Sequence, residues 1–243
     1  MPQKQSAMIS SEFQAEKNKF YLAISKALIP VGLIWIAYLI NTIFSLQWNN
    51  WGLRPRFISG LSGIFSMPFL HADVQHIFSN SIPLFLFCFG LFYFFSKKAV
   101  LILFMSSLIT GIFTWAIGSS GIHIGASGMV YALAFFLVTI SIIKMEPTLM
   151  AYTLIIIFLY GSLIWGFFPM LFPDRHISWE GHLSGAVTGI ILAFFYKKEG
   201  PQKKLYFPEE EDEDENEDFY SHENEENFIH LQHDKSRERE TPN

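Results

Sequence analysis

The chain has 243 residues, of which 51% are hydrophobic and 17% aromatic, and its formal net charge is −5. The interval between Lys98 and Lys144 holds 45 residues without Asp, Glu, Lys or Arg, which excludes an ordinary soluble helical domain because soluble helices need a polar face. Residues 1–208 carry 14 Lys and Arg against 7 Asp and Glu, whereas residues 209–243 carry 3 against 15. The basic charges lie at the ends of apolar segments rather than in a stripe, which favours a membrane protein and argues against nucleic acid as a partner.

Six apolar segments are predicted to span the bilayer, and most of them approach the ~20 residues that ~30 Å of hydrocarbon requires. They are Ala27–Leu46, Gln75–Phe95, Ala99–Gly118, Ser127–Ile143, Thr148–Phe168 and Gly181–Tyr196. The polar stretch Met1–Phe20 lacks the short apolar core and small-residue cleavage site of a signal peptide, so we expect the first apolar helix to be retained.

The basic residues predict the orientation of the segments. With the N-terminus inside, 14 of the 17 Lys and Arg residues fall on the cytoplasmic side, and only Arg54, Arg56 and Arg175 fall outside. An odd number of spans would destroy this asymmetry, so six is favoured. The sequence therefore predicts a multi-pass protein of the plasma or inner membrane with both termini in the cytoplasm.

The segments between and beyond the spans divide the chain further. The outer loop Gln47–Val74 is rich in Trp and Phe and is predicted to lie in the membrane interface, and a second outer loop covers Phe168–Glu180. We predict a cytoplasmic N-terminal segment at residues 1–26, a membrane domain at 27–200 and an acidic cytoplasmic tail at 201–243. Nine of the ten residues 209–218 are acidic, so the tail is predicted to be disordered, and binding of an unidentified cytoplasmic partner stays open.

Polar residues inside a span are costly and mark functional sites. The sequence Gly125-Ala126-Ser127-Gly128 begins the short fourth span, which measures about 25 Å and places Ser127 below the outer surface. The free N–H groups of a helix start are able to hold an oxyanion, and Gly125 and Gly128 permit close approach. The alternative is that Ser127 only caps the helix.

A histidine begins the sixth span beside a row of small residues. Gly181, Gly185 and Gly189 are four residues apart, and this spacing lets two membrane helices pack closely. If the fourth span packs there, His182 lies beside Ser127 and serves as its general base, with Tyr131 stacked on the imidazole. No Asp or Glu lies within a predicted span, so the arrangement is a dyad. The alternative is a packing histidine.

The second span contributes His76 and Asn80, which share a helix face and are both able to donate hydrogen bonds to a developing oxyanion. His71 precedes the helix and is interpreted as a loop anchor. A zinc site is weakly supported because the spacing of His71 and His76 does not align two ligands and no His-Glu-x-x-His pattern is present.

Three motifs in this order resemble the rhomboid intramembrane proteases over about residues 25–200: His71-x4-His76-x3-Asn80, Gly125-x-Ser127-Gly128 and His182-x2-Gly185-x3-Gly189. The resemblance implies an all-α bundle of six transmembrane helices with a long, partly membrane-embedded first outer loop, and hydrolysis of transmembrane protein substrates in a cavity open to the outer face. It implies no cofactor and no metal. Its site residues have three roles: Ser127 as nucleophile, His182 as base, and an oxyanion hole formed by His76, Asn80 and the Ser127 N–H, supported by Gly125, Gly128, Tyr131 and Gly185.

One departure and two other functions stay open. Many rhomboids carry a Trp-Arg pair nine and eight residues before the first motif histidine, where this chain has Ser62 and Gly63. The first outer loop is therefore expected to be held differently, with Trp51, Arg54 and Pro68 as candidate anchors. The other functions are a rhomboid-fold membrane chaperone or substrate-binding protein without proteolytic activity, and a small transporter in which the histidines relay protons.

Overall fold

The computed structural model describes residues 2–168 and 178–203 and, for side chains, begins at Ser10. The seven α-helices in these ranges are α1 (Pro2–Ile43), α2 (Gly63–Ser66), α3 (Val74–Phe94), α4 (Ala99–Ile117), α5 (Ser127–Lys144), α6 (Pro147–Tyr160) and α7 (Trp179–Phe195). Four 3-10 segments accompany them at Trp48–Trp51, Ile58–Gly60, Met67–Phe69 and Gly161–Phe167. The all-helical membrane fold predicted from the sequence is thus observed. Most of the outer loop after Phe168 and the acidic stretch 209–218 lie outside the described residues.

Among the described residues, five helical stretches are long and apolar enough to cross a membrane: Ser10–Ile43, Val74–Phe94, Ala99–Ile117, Ser127–Lys144 and Pro147–Phe167. They correspond to the first five predicted spans. The sixth predicted span corresponds to α7, which has 17 residues and a rise of about 25 Å. This length is shorter than the ~30 Å of hydrocarbon, so the count of six stays a prediction.

The helix that contains the first predicted span, Ala27–Leu46, has different bounds from that span. Helix α1 begins at Pro2 and ends at Ile43, so it continues through the polar N-terminal residues. Those residues include Gln, Ala, Glu and Lys, which favour a helix without any apolar pattern. The helix start is therefore set by propensity, while the prediction followed hydropathy alone.

The fifth predicted span, Thr148–Phe168, is interrupted. Helix α6 ends at Tyr160, and the chain continues as the 3-10 segment Gly161–Phe167. Glycine costs about 1 kcal/mol relative to alanine within a helix, and both Gly161 and Gly166 fall in this stretch. A tighter 3-10 path turns the backbone carbonyls in new directions, which matters for the site described below.

Helix α5 occupies the centre of the bundle. Of the 18-residue apolar stretch of α5, 67% is buried inside the protein, compared with 22% of the corresponding stretch of α1. It packs against α3, α4, α6 and most extensively α7. A Cβ built on Gly185 would come closer than 3.0 Å to the Gly128 carbonyl, and one built on Gly189 would come closer than 3.0 Å to the Ala132 carbonyl. Only glycine therefore permits this approach of α7 to α5.

The first outer loop is tied to the helices near the start of α5. Leu53 and His123 exchange backbone hydrogen bonds of 3.0 and 2.8 Å, and the Arg56 Nη1 donates to the Gly118 carbonyl at 2.6 Å. The indole of Trp115 donates to the Phe57 carbonyl at 3.0 Å. Of the candidate anchors, Trp51 accepts a hydrogen bond at its carbonyl from Ser66, another residue of the loop. Arg56 and Trp115, which were not among the candidates, make the side-chain bonds described above.

Candidate active site

Ser127 and His182 meet at the interface of α5 and α7. The Nε2 atom of His182 lies 3.1 Å from the Ser127 Oγ, within hydrogen-bond distance. Ser127 is the first residue of α5, and His182 lies in the first turn of α7, where 8% of its surface is exposed. A hydroxyl and an imidazole at this separation are able to pass a proton between them.

Glycines on both helices bring this pair together. A Cβ on Gly128 would lie 2.8 Å from the Thr110 Cγ2 and 3.2 Å from the Gly181 carbonyl oxygen, so the start of α5 sits directly against the start of α7. One turn further, Gly185 packs on the Gly128 carbonyl. The small residues thus let Ser127 and His182 come within 3.1 Å of each other.

Tyr131 holds one face of the imidazole. Its ring stacks on His182 with centroids 4.1 Å apart and planes 9° from parallel. The Tyr131 hydroxyl donates a hydrogen bond to the Leu163 carbonyl, and the second His182 nitrogen, Nδ1, lies 2.9 Å from the Gly166 carbonyl oxygen. Both carbonyls belong to the 3-10 segment Gly161–Phe167.

His76 and Asn80 approach the site from α3 on the side of Gly125. A Cβ on Gly125 would stand 2.6 Å from the His76 Nε2 and 3.9 Å from the Asn80 Nδ2, and the φ of Gly125, +111°, is one that other residues rarely adopt. The backbone N–H of Gly125 donates to the Met67 carbonyl at 2.9 Å. Gly125 therefore lets the turn before Ser127 pass close to His76 and Asn80, and the Asn80 Nδ2 donates a hydrogen bond of 3.0 Å to the His76 carbonyl.

The start of α5 adds backbone donors to this group. No side chain of the described residues caps the helix, and the first N–H groups of a helix have no partner within it. Ser127 itself lies one position inside the helix, after Ala126, so it is not the capping residue. The structure thus collects a hydroxyl, an imidazole and several N–H donors around the first turn of α5.

His71 supports His76 from behind. Its ring is 1% exposed and meets the His76 ring edge to face at a centroid distance of 5.0 Å. Burial, together with the neighbouring His76, lowers the pKa of His71 to about 4, so the ring is neutral at physiological pH and adds no charge beside His76. Its backbone carbonyl accepts a hydrogen bond of 3.2 Å from the Asn49 side chain, whereas its ring nitrogens have no hydrogen-bond partner among the described residues, so its role as a loop anchor stays a prediction.

Several supporting residues escaped the sequence analysis. Ser178 accepts a hydrogen bond from the Gly181 N–H, as an N-cap does, and its hydroxyl lies 2.6 Å from the His123 Nδ1. The buried Glu180 accepts a hydrogen bond of 3.1 Å from the Ser119 N–H. These contacts join the loop before Ser127 to the start of α7. The serine three residues before Gly181 was a recognisable cap signal, but the contact of the Gly166 carbonyl with His182 had no signal in the sequence.

Comparison with known proteins adds an independent finding. Residues 58–199 match the family model described as the Rhomboid domain, and this range contains every site residue named above. Proteins of Mycobacterium tuberculosis and Mycobacterium bovis are 31% identical over 185 residues, which cover 72% of this chain and 74% of theirs. A Mycobacterium leprae protein is 30% identical over 181 residues, covering 72% of this chain and 70% of its own. All three relatives carry the name uncharacterized protein.

Proposed function

The chain belongs to the rhomboid family, whose members are generally intramembrane serine proteases, and we propose that it is such a protease, cutting membrane-protein substrates in or near a transmembrane segment. The observation that carries the proposal is the 3.1 Å contact between the Ser127 hydroxyl and the His182 Nε2 in a membrane-type bundle. A helix cap does not account for Ser127, because Ser127 lies inside its helix, and a packing histidine bonded to the Gly166 carbonyl does not account for the second contact of the ring, with the Ser127 hydroxyl.

In the first half of the reaction Ser127 is the nucleophile. Its Oγ attacks the scissile carbonyl carbon while the His182 Nε2 takes the hydroxyl proton. The carbonyl oxygen becomes an oxyanion, and the His76 and Asn80 side chains with the Ser127 N–H are its proposed donors. The C–N bond then breaks, the amine leaves with the proton from His182, and an acyl ester remains on Ser127.

In the second half of the reaction water replaces the amine. His182 takes a proton from water, the hydroxide attacks the ester, and the acid product leaves as the proton returns to Ser127. We propose that water and substrate reach the site from the outer face, because the polar residues lie at the outer ends of the predicted spans. Both chain termini are then cytoplasmic, in keeping with the positions of the basic residues.

The proposal is tested with the full chain reconstituted in liposomes together with a model transmembrane substrate. We expect cleavage of the substrate, and we expect a fluorophosphonate to stop cleavage while mass spectrometry finds the label on Ser127. Absence of cleavage over a broad panel of transmembrane substrates, with Ser127 unlabelled, would favour the non-proteolytic membrane chaperone. Label on another residue would overturn the assignment of Ser127.

The oxyanion donors are tested separately. We expect His76→Ala and Asn80→Ala each to lower kcat by about 100-fold with little change in KM, because the oxyanion forms only in the transition state. Initial rates in liposomes at several substrate concentrations measure both constants. Ser79→Ala is the control, since Ser79 is an exposed residue on the same helix, and its kcat should match that of the wild type. A raised KM with an unchanged kcat in the two variants would contradict the assigned role.

A further inference from the structure

Hydrogen bonding determines which nitrogen of His182 carries the proton. The Nδ1 atom lies 2.9 Å from the Gly166 carbonyl oxygen, and the Nε2 atom lies 3.1 Å from the Ser127 Oγ. A carbonyl oxygen accepts hydrogen bonds and never donates them, so the neutral ring holds its proton on Nδ1. The lone pair of Nε2 then faces Ser127, as a general base requires.

The same 3-10 segment also fixes Tyr131. The Tyr131 hydroxyl donates to the Leu163 carbonyl, and the Phe167 ring meets the Tyr131 ring edge to face at 5.2 Å. Tyr131 in turn covers the face of His182 at 4.1 Å. One short segment therefore sets the tautomer of the imidazole directly and its position through Tyr131.

The break in α6 makes this arrangement possible. The last carbonyls of a helical segment have no partner within it and are open to side-chain donors. Gly166 is the next-to-last residue of the segment, which ends at Phe167. A Cβ on Gly166 would lie 2.8 Å from the His182 Nδ1 and would overlap the Tyr131 hydroxyl. A glycine is thus required for the carbonyl to come this close to the ring.

We propose that Gly166 is a positioning residue, and that the segment Gly161–Phe167 takes the place of the acidic third member of a catalytic triad. In a triad a carboxylate accepts the Nδ1 proton and orients the ring, whereas here a neutral backbone carbonyl does so. His182 consequently works as a base only while this outer end of α6 is seated against it. The inference rests on the proposed protease function.

Two glycines give a matched pair of variants. Gly166→Ala places a methyl group against Tyr131 and His182 and should displace the segment. Gly32→Ala adds the same methyl in α1, outside the segment, where a Cβ would meet no atom of the described residues within 4 Å. We expect Gly166→Ala to slow phosphonylation of Ser127 by a fluorophosphonate about 10- to 100-fold, and Gly32→Ala to leave the rate unchanged.

A spectroscopic measurement separates positioning from general loosening of the fold. In 15N spectra of the reconstituted protein, the His182 resonances are those missing from His182→Ala. The wild type should show a protonated Nδ1 and an unprotonated Nε2, and Gly166→Ala should lose this state while keeping the unfolding temperature of the wild type. A wild-type ring protonated on Nε2, or a Gly166→Ala variant labelled at the wild-type rate, would overturn the inference.

Failure of this inference is distinguishable from failure of the protease function. If the wild type cleaves its substrate but carries the His182 proton on Nε2, the proposed protease function stands and the proposed role of Gly166 is excluded. A wild type that cleaves nothing still has a tautomer, which the spectrum reports. If Gly166→Ala does not fold, Tyr131→Phe provides the second variant, because it removes the donor to Leu163 without adding volume, and it should slow labelling about tenfold.

Discussion

Ser127→Ala and His182→Ala are each expected to lower the cleavage rate of a reconstituted transmembrane substrate by a factor on the order of 10⁴ or more. Removing the Oγ leaves no nucleophile within reach of the His182 Nε2, and removing the imidazole leaves the hydroxyl protonated at the moment of attack. The double variant should be no slower than either single variant, because the two groups act as one unit. Initial rates measured at equal protein content in liposomes test all three variants.

A serine on the same helix as His182 provides the control for these variants. Ser184 is buried on α7, and its hydroxyl has no hydrogen-bond partner within the part of the chain described. Ser184→Ala should therefore cleave within a few-fold of the wild-type rate. Cleavage that survives Ser127→Ala while Ser184→Ala is active would show that another group is the nucleophile.

The meeting of α5 and α7 could be read from the sequence because it depends on small residues at a regular spacing. Gly181, Gly185 and Gly189 mark one face of α7, and Gly128 marks the start of α5. In a membrane, where apolar burial does not discriminate between helix faces, such a glycine face is the strongest signal of which face packs. Ser127 and His182 flank these glycines, so their contact was predictable together with the packing.

The contacts of backbone atoms could not be read in this way. The Gly166 carbonyl reaches His182 because α6 ends at Tyr160 and the chain tightens into a 3-10 path. Hydropathy is uniform through Thr148–Phe168, so it predicted a continuous span and gave no direction for any carbonyl. The glycines at 161 and 166 lower the free-energy cost of ending the helix, but they do not predict the path of the backbone after it.

The contacts that anchor the first outer loop also could not be predicted from the sequence. Arg56 reaches the Gly118 carbonyl across 62 residues of chain, and Trp115 on α4 reaches the Phe57 carbonyl. Such pairs join a side chain to a backbone oxygen, and any residue supplies that oxygen, so neither partner carries a recognisable pattern. Gly63 was noted only as a missing arginine, whereas in the structure a Cβ there would overlap the Leu53 backbone.

Gly185→Ala is expected to lower both the activity and the stability of the protein, although alanine is the better helix former by about 1 kcal/mol. A Cβ on Gly185 would overlap the Gly128 carbonyl oxygen and would lie 3.0 Å from the Tyr131 Cβ and 3.1 Å from the Ala132 N. These neighbours are backbone or near-backbone atoms of the central helix, so they cannot rotate away as a flexible side chain would. Helix α7 must therefore move away from α5 by a distance on the order of 1 Å to restore ordinary contact.

This movement separates the His182 Nε2 from the Ser127 Oγ, and a misplacement of about 1 Å can cost about 100-fold in rate. We expect a loss of activity of more than 100-fold, with the free energy of unfolding lowered by about 1–3 kcal/mol. Gly32→Ala in α1 is the matched control, because a Cβ there meets no atom of the described residues within 4 Å, and it should keep full activity and wild-type stability or better. Cleavage rates and unfolding in mixed micelles measure the two effects. A Gly185→Ala variant as active and stable as Gly32→Ala would show that the glycine face of α7 is not what holds the base beside the nucleophile.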